Sequence, residues 1–362
     1  MRRIFLVLAL LAAPLHAQPI PEDQLCLTPI GIGALKDGYC DPLPGDKREI
    51  KPAQLPIHLR NDFRLKLNVV SADNPEEDYD LSSLTNNDTV TELELFRVGP
   101  IDMSPLPSMQ ALRALSLSAQ AARSLGQLTT PPATVRDLRL YAPGDVLDLS
   151  ALASWTDLRV LNVIALGVTG QEALANLPHL QNVKFDLGQQ TDLSVLANAK
   201  KLEALYIRGS LGRTVFSDAS FVAGLTDLRM LSLETNAITD LSPLAGLTKL
   251  RGLALSGNAG VTDISVVRNM PDLRSLELDK TNVSDLSPLR GMTKLEILWL
   301  DRTPVSDISA LAETPALWGL KLVRTQVSDL SPLRNLPLRH LNVIGAPVTD
   351  FSPVPPGVKL KK

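Results

Sequence analysis

The sequence predicts a solenoid: a stack of coils of about 22 residues, each with a short β-strand on one side and a 3-10 turn on the other. Three observations predict it. One phrase recurs with small changes: residues 228–247 read LRMLSLETNAITDLSPLAGL, 273–292 read LRSLELDKTNVSDLSPLRGM, and 317–336 read LWGLKLVRTQVSDLSPLRNL. The first apolar position of the phrase falls at Val90, Leu112, Val135, Leu158, Leu180, Leu202, Leu228, Leu250, Leu273, Leu295, Leu317 and Leu338, in steps of 21 to 26 residues. Within a unit, apolar residues stand at positions 1, 4, 6, 11, 14, 17 and 20, which in the seventh unit are Leu228, Leu231, Leu233, Ile238, Leu241, Leu244 and Leu247. Positions 4 and 6 alternate as a strand does, and the spacing of three from 14 to 20 matches the period of a 3-10 turn. A unit this small buries its apolar edge only against a neighbour, so the units must stack.

Two polar columns complete the unit. Position 9 is Asn236, Asn258, Thr281, Thr303 and Thr325, where a short side chain can bond the backbone groups of the turn leaving the strand. The second column is Asp240, Asp263, Asp285, Asp307, Asp329 and Asp350. Ser-Pro follows it at 242–243, 287–288 and 331–332, which predicts serine as an N-cap and proline at the first helical position. Turn chemistry accounts for each aspartate separately, and calcium would need six or more convergent oxygens. The 26-residue step contains residues 212–220, which predicts a bulged loop there.

This L-x-x-L-x-L-x-x-N/T-x-I/V-T/S-D-L/I-S-P-L phrase covers roughly residues 90–354 and resembles the leucine-rich repeats of bacterial internalins. The resemblance implies a leucine-rich repeat solenoid with a curved parallel sheet on its concave face, and binding of a receptor on that face. The N-terminal segment with its cysteine pair does not match the internalin helical cap, and neither a wall-sorting motif nor an immunoglobulin-like domain follows the repeats.

The flanks read differently. Residues 1–17 carry Arg2 and Arg3, then an apolar run from Ile4 to Ala13, then Ala17 before Gln18. That is the pattern of a signal peptide, too short to span a bilayer, and it predicts export to the periplasm or the exterior. No later stretch is apolar enough for a transmembrane helix. Residues 18–89 hold 13 acidic and 7 basic residues and read as an N-terminal cap. Cys26 and Cys40 lie within it, the only cysteines in the chain, and in an exported protein such a pair reads as a disulfide worth roughly 3 kcal/mol. The acidic stretch 73–80 reads as a solvated loop, with calcium binding as the alternative. Residues 355–362 read as a C-terminal tail, and Pro347, Pro353, Pro355 and Pro356 blunt this end against edge pairing.

Catalytic signatures are missing. The four histidines, His16, His58, His179 and His340, lack metal-ligand spacing, and the glycines at 31, 33 and 38 fail the dinucleotide pattern. No G-x-S-x-G elbow occurs. The expectation is a non-enzymatic chain without cofactor or metal. A formal net charge of -3 argues against nucleic acid as a partner.

Binding residues are therefore sought where the units disagree. Strand positions 3, 5 and 7 point away from the core, and aromatics, only 4% of the chain, recur there as Phe96, Tyr141, Tyr206 and Trp299. Two clusters are expected: Arg139, Tyr141, Lys184, Tyr206 and Arg208; and Glu277, Asp279, Trp299, Asp301, Arg302, Trp318 and Arg324. A protein partner fits them best, with an envelope polysaccharide or anionic glycan as the alternative. Position 2 holds Arg113, Arg136, Arg159, Arg229, Arg251, Arg274 and Arg339, a row readable as an anion track or as exposed ion pairs with acids such as Asp137, Asp227 and Asp272.

Overall fold

A computed structural model describes the backbone at residues 2–3, 25–28, 31–36, 39–42, 65–70 and 79–362, except 97–100, 119, 129 and 210–215. Side chains are described from residue 81 onward, apart from those backbone gaps and Ser83 and Phe96. The leader beyond residue 3, the acidic 73–80 loop as far as residue 78, the Cys26 and Cys40 side chains and residues 212–215 of the bulged loop lie outside the described residues.

The chain divides into two compact units, Met1–Leu180 and Gln181–Lys362. In the first, strands Leu25–Thr28, Gly31–Lys36 and Tyr39–Pro42 form an antiparallel meander. Cys26 and Cys40 sit on its two outer strands. A parallel ladder then runs from Leu65–Val70 to Val90–Phe96, Ala114–Ser118, Asp137–Asp148 and Val160–Thr169. The repeat ladder thus begins at Leu65, inside the segment read as the cap; the fading repeat signal there, at residues 64–67 and at Leu81 and Leu84, belongs to this coil, and Leu81 and Leu84 are buried.

In the second unit, Asn182–Leu187 pairs with Ala204–Gly209. Strands of three residues follow in parallel: Met230–Ser232, Gly252–Ala254, Ser275–Glu277, Ile297–Trp299, Gly319–Lys321 and His340–Asn342. One more strand, Lys359–Lys361, pairs with His340–Asn342. The expected tail is therefore a further rung: the prolines end before residue 357, and the Lys-Leu-Lys alternation is free to donate to the ladder.

The apolar columns form the core. Leu228, Leu231, Leu233, Ile238, Leu244 and Leu247 are at most 1% exposed, and Leu241 is 5% exposed. The period of three has a backbone counterpart. Leu244 N–H donates to Leu241 O at 2.9 Å, Leu247 to Leu244 at 3.0 Å, and Leu250 to Leu247 at 3.2 Å. Each apolar residue of the turn also closes an i to i+3 bond, so burial and backbone satisfaction share one register.

The aspartate column caps each turn, as turn chemistry predicts, whereas the serine does not take the N-cap place expected of it. Oδ1 of Asp240, Asp263, Asp285, Asp307, Asp329 and Asp350 accepts the N–H of the serine two residues on, at 2.7–2.8 Å. Their Oδ2 atoms accept the same serine's hydroxyl at 2.7–3.1 Å. The serine is thus a donor within the first turn, and the residue before it, such as Leu241, occupies the cap position without a side-chain bond. The carboxylate does the capping. These bonds to the ionised form hold Asp192, Asp240, Asp285, Asp329 and Asp350 below the ordinary carboxylate range.

Position 9 behaves as the sequence predicts. Asn258, fully buried, donates from Nδ2 to Leu233 O and Leu255 O, both at 2.8 Å, and accepts Ile238 N–H at 3.1 Å. Thr281, Thr303 and Thr325 each donate to the carbonyl three residues back, at 2.7–2.8 Å.

Candidate binding surface

In a parallel ladder, equivalent positions of successive strands stand side by side. Position 3 of the last strands therefore makes one outward row, Ser275, Ile297, Gly319, His340 and Lys359. Position 5 makes a second, Glu277, Trp299, Lys321, Asn342 and Lys361. Between them Leu276, Leu298, Leu320 and Leu341 turn into the core, at most 2% exposed.

A groove of about 320 Å³ lies along these rows, with Trp299 and Trp318 on its walls and Gly319 in its lining. Its charged lining residues are Lys321, Lys359 and Lys361, beside His340, and no carboxylate lines it. Lys321 Nζ sits 3.2 Å from the centre of the Trp299 ring, a cation–π contact. Trp318 meets His340 edge to face, with centroids 5.9 Å apart and planes at 65°. The third tryptophan, Trp155, is by contrast 3% exposed and belongs to the core of the first unit.

Next to the groove the sign of charge reverses. Partial burial, with Glu234 and Asp279 nearby, pushes the Glu277 carboxyl up to about 7, against the pull of Lys321. Burial also raises Asp279, although the N–H of Asp301 opposes this. Asp279 and Asp301 carry the backbone as well: Asp279 Oδ1 accepts Asp301 N–H, and Asp301 Oδ1 accepts Val323 N–H, each at 2.8 Å. These two carboxylates stitch one coil to the next at position 7. Only part of their acceptor capacity faces outward.

Arg302 and Arg324, expected beside Trp299, occupy position 8, where the chain turns the corner out of the strand. Their φ values are 59° and 56°, and both side chains are exposed. Thr235, Gly257, Lys280 and Gly345 hold the same left-handed conformation at the same position. Sequence reasoning missed this column because only Gly257 and Gly345 advertise it.

The other expected cluster is divided between the units. In the first, Arg139 donates to Asp137 at 2.7 Å, and Tyr141 is 46% exposed on the adjacent outward position. In the second, Lys184 pairs in register with Tyr206, and Asp186 with Arg208. Arg208 and Lys184 are exposed and Tyr206 is half-buried. The arginine row is largely local: Arg136 pairs with Asp157 at 3.1 Å, Arg229 with Glu203 at 3.7 Å and Arg274 with Glu296 at 2.6 Å. The acids expected to serve that row pair elsewhere, Asp227 with Lys249 and Asp272 with Lys294. Arg159, Arg251 and Arg339 form no ion pair among the described residues.

Besides Lys321 and Asn342, which position 5 turns outward, the groove residues outside the expected clusters are Ile297, Gly319, His340, Lys359 and Lys361. Reading position 3 alongside position 5, and the Lys-Leu-Lys alternation as a strand, would have found them. Among the described residues no group of three or more histidine, cysteine, aspartate or glutamate side chains is placed to hold a metal ion. No described helix is long and apolar enough to cross a membrane.

The family model described as Leucine Rich repeats (2 copies) matches residues 271–313. An internalin (inlF) from Listeria monocytogenes is similar in structure, with a TM-score of 0.63 and 25% identity over 75% of this chain and 80% of that one. A leucine-rich repeat protein, LIC12759, from Leptospira interrogans shares the fold, with a TM-score of 0.52 and 15% identity over 79% of this chain and 90% of that one. No curated relative matches the sequence. The phrase at residues 271–313, the parallel ladder closed by 3-10 turns and these likenesses agree: the chain has the leucine-rich repeat fold and is similar in it to the internalins.

Proposed function

We propose that this chain is an exported, non-enzymatic recognition module that binds a protein partner through the outward side chains of its strands. The observation that carries this reading is the placing of two of the three tryptophans, Trp299 and Trp318, on an outward groove instead of in the core. A solenoid of this composition fills its interior with leucine and valine, so tryptophan is not needed for packing in these coils. Exposed tryptophan is the residue type that most often dominates protein interfaces. The leader-like residues 1–17 support export, and the cysteine pair on the two outer strands of the meander supports an oxidising destination.

Affinity capture with the chain from Gln18 onward tests the reading. One protein retained in stoichiometric amount, and lost with the Trp299→Ala/Trp318→Ala double variant of unchanged melting temperature, is the expected result. Equal retention by both would remove the outward groove from the binding surface. Retention of anionic polysaccharide alone, released by salt, would replace a protein partner with a glycan. N-terminal sequencing of the exported chain should begin at Gln18.

A further inference from the structure

We infer that the groove over Gly319 is an anchor site for an acidic segment of a protein partner, which inserts one apolar side chain between Trp299 and Trp318 and sets carboxylates against Lys359 and Lys361. This deepens the recognition reading and rests on it.

The gap is a specific feature of this coil. Two strands of the second unit carry glycine at position 3, and their surroundings differ. A methyl group added at Gly252 would meet Met230 Cε at 2.5 Å, because the methionine already lies over that glycine. At Gly319 the nearest atoms would be Ile297 Cγ1 at 3.6 Å and Glu296 O at 3.9 Å, ordinary contact distances. Over one glycine lies the protein's own side chain, and over the other, in a groove that both tryptophans line, a methyl group fits at ordinary contact distance.

Charge decides the sign of the occupant. The groove's charged lining is cationic, from Lys321, Lys359 and Lys361. Lys321 is engaged with the Trp299 ring, which leaves Lys359 and Lys361, both exposed, to meet an anion. On the other side of Trp299 stand Glu277 and Asp279, so the surface is polar along its length and would orient the segment. Its acidic part belongs over the last strand, and a basic residue is accommodated over Glu277.

Hydrogen-bonding capacity separates a peptide from a sugar. A saccharide presents hydroxyl groups all round and needs several planar polar side chains to receive them. Here Asn342 and His340 are the only amide or imidazole groups in the lining, and apart from the three lysines the rest is indole, isoleucine, leucine and glycine. A cavity of about 320 Å³ is at the small end of ligand sites, enough for one large side chain. Burying one apolar side chain in a dry gap flanked by charges is how interface anchors work.

The test uses short peptides and the indole N–H signals of the full chain in ¹H–¹⁵N spectra. The probe is an end-blocked peptide with a central leucine flanked on both sides by aspartate and glutamate. It should shift the Trp299 and Trp318 signals and leave Trp155 unmoved. Replacing its leucine by glycine should weaken binding by about tenfold, and replacing its acids by lysine by about tenfold or more. Gly319→Leu should abolish binding, with Gly319→Ala intermediate. Lys359→Glu/Lys361→Glu, on an exposed end strand, should weaken it even if the leucine variant fails to fold. The inference is overturned if no peptide shifts the indoles at millimolar concentration, if the lysine peptide binds equally, or if Gly319→Leu binds like the native chain. It is overturned too if an oligosaccharide of galacturonic acid binds at the groove and the peptide does not. A partner lost with the double tryptophan variant but kept by Gly319→Leu would leave the recognition reading standing and remove this one.

Discussion

The coils beginning at Val135 and Leu158 in the first unit and those from Leu228 to Leu317 in the second solve the same corner in opposite ways. In those coils of the second unit a strand lasts three residues, position 8 turns left-handed, and the position-9 side chain bonds the turn. In the first, Asp137–Asp148 and Val160–Thr169 run straight through positions 8 and 9, paired as Ala142↔Ala165 and, after a shift in register, Val146↔Gly167. The sequence explains the difference. Position 9 there is Pro143 and Leu166, neither of which can donate a side-chain hydrogen bond. With no such donor, the backbone groups of the corner find partners by pairing with the next coil instead. An asparagine or threonine at position 9 thus accompanies the short strand, and the Leu338 coil, with Gly345 and Ala346 at positions 8 and 9, makes the same corner with a left-handed glycine alone.

The comparison is tested most severely at Asn258. Replacement by alanine takes a donor from two carbonyls and an acceptor from Ile238 N–H, all buried. The expected loss is about 3 kcal/mol in chemical denaturation, the sum of several buried polar groups left short of a partner. Thr303→Val removes one bond, to a carbonyl that still accepts the Thr303 N–H at 3.2 Å. It should cost about 1 kcal/mol. Equal losses from the two would mean that the reach of asparagine to the preceding coil contributes nothing.

Position 8 gives a test of sign. Lys280 has a φ of 57°, a conformation that costs an L-residue roughly 1–2 kcal/mol and glycine almost nothing. After the entropy of glycine is set against this, Lys280→Gly should stabilise by about 0.5 kcal/mol. Ala142 occupies the same repeat position in an extended strand and is 1% exposed. Ala142→Gly should destabilise by about 1 kcal/mol. Melting curves for the pair check both signs, and a destabilised Lys280→Gly would refute the left-handed corner.

These residues also show why the fold was legible and the surface only partly so. Stacking repeats write their core many times, so Leu231, Leu233 and Leu244 could be placed from period alone. The Asp240–Ser242 pair was visible too, but not which member caps, because either can accept a hydrogen bond and only geometry selects the carboxylate. Trp299 and Trp318 were found because tryptophan is rare in this chain. Gly319 was not, because a missing side chain matters only when its neighbours fail to cover it, and that depends on Ile297 and Met230 lying differently over two glycines. Asp279 and Asp301 read as ligand-facing from their column, yet each spends an oxygen on the next coil's backbone.

The last test concerns charge within the second unit and has the smallest expected effect. Its Asp–Ser clips and Glu277 are shifted in opposite directions. Asp240, Asp285, Asp329 and Asp350 lie below their ordinary 3.8, so their contribution is present above that value and is lost as pH falls through the lowered one. Glu277 lies at about 7 instead of 4.5. Between those values the folded chain binds the proton more tightly than the unfolded chain does, so stability declines as pH rises through that window. The two effects oppose each other, the clips losing their contribution in acid and Glu277 costing stability as pH rises through its own window. Glu277→Gln should remove the decline between pH 4.5 and 7 in urea midpoints and leave the acid limb unchanged. A native chain whose midpoint stays level across that range would show that solvent reaches Glu277 well enough to cancel the influence of Glu234 and Asp279.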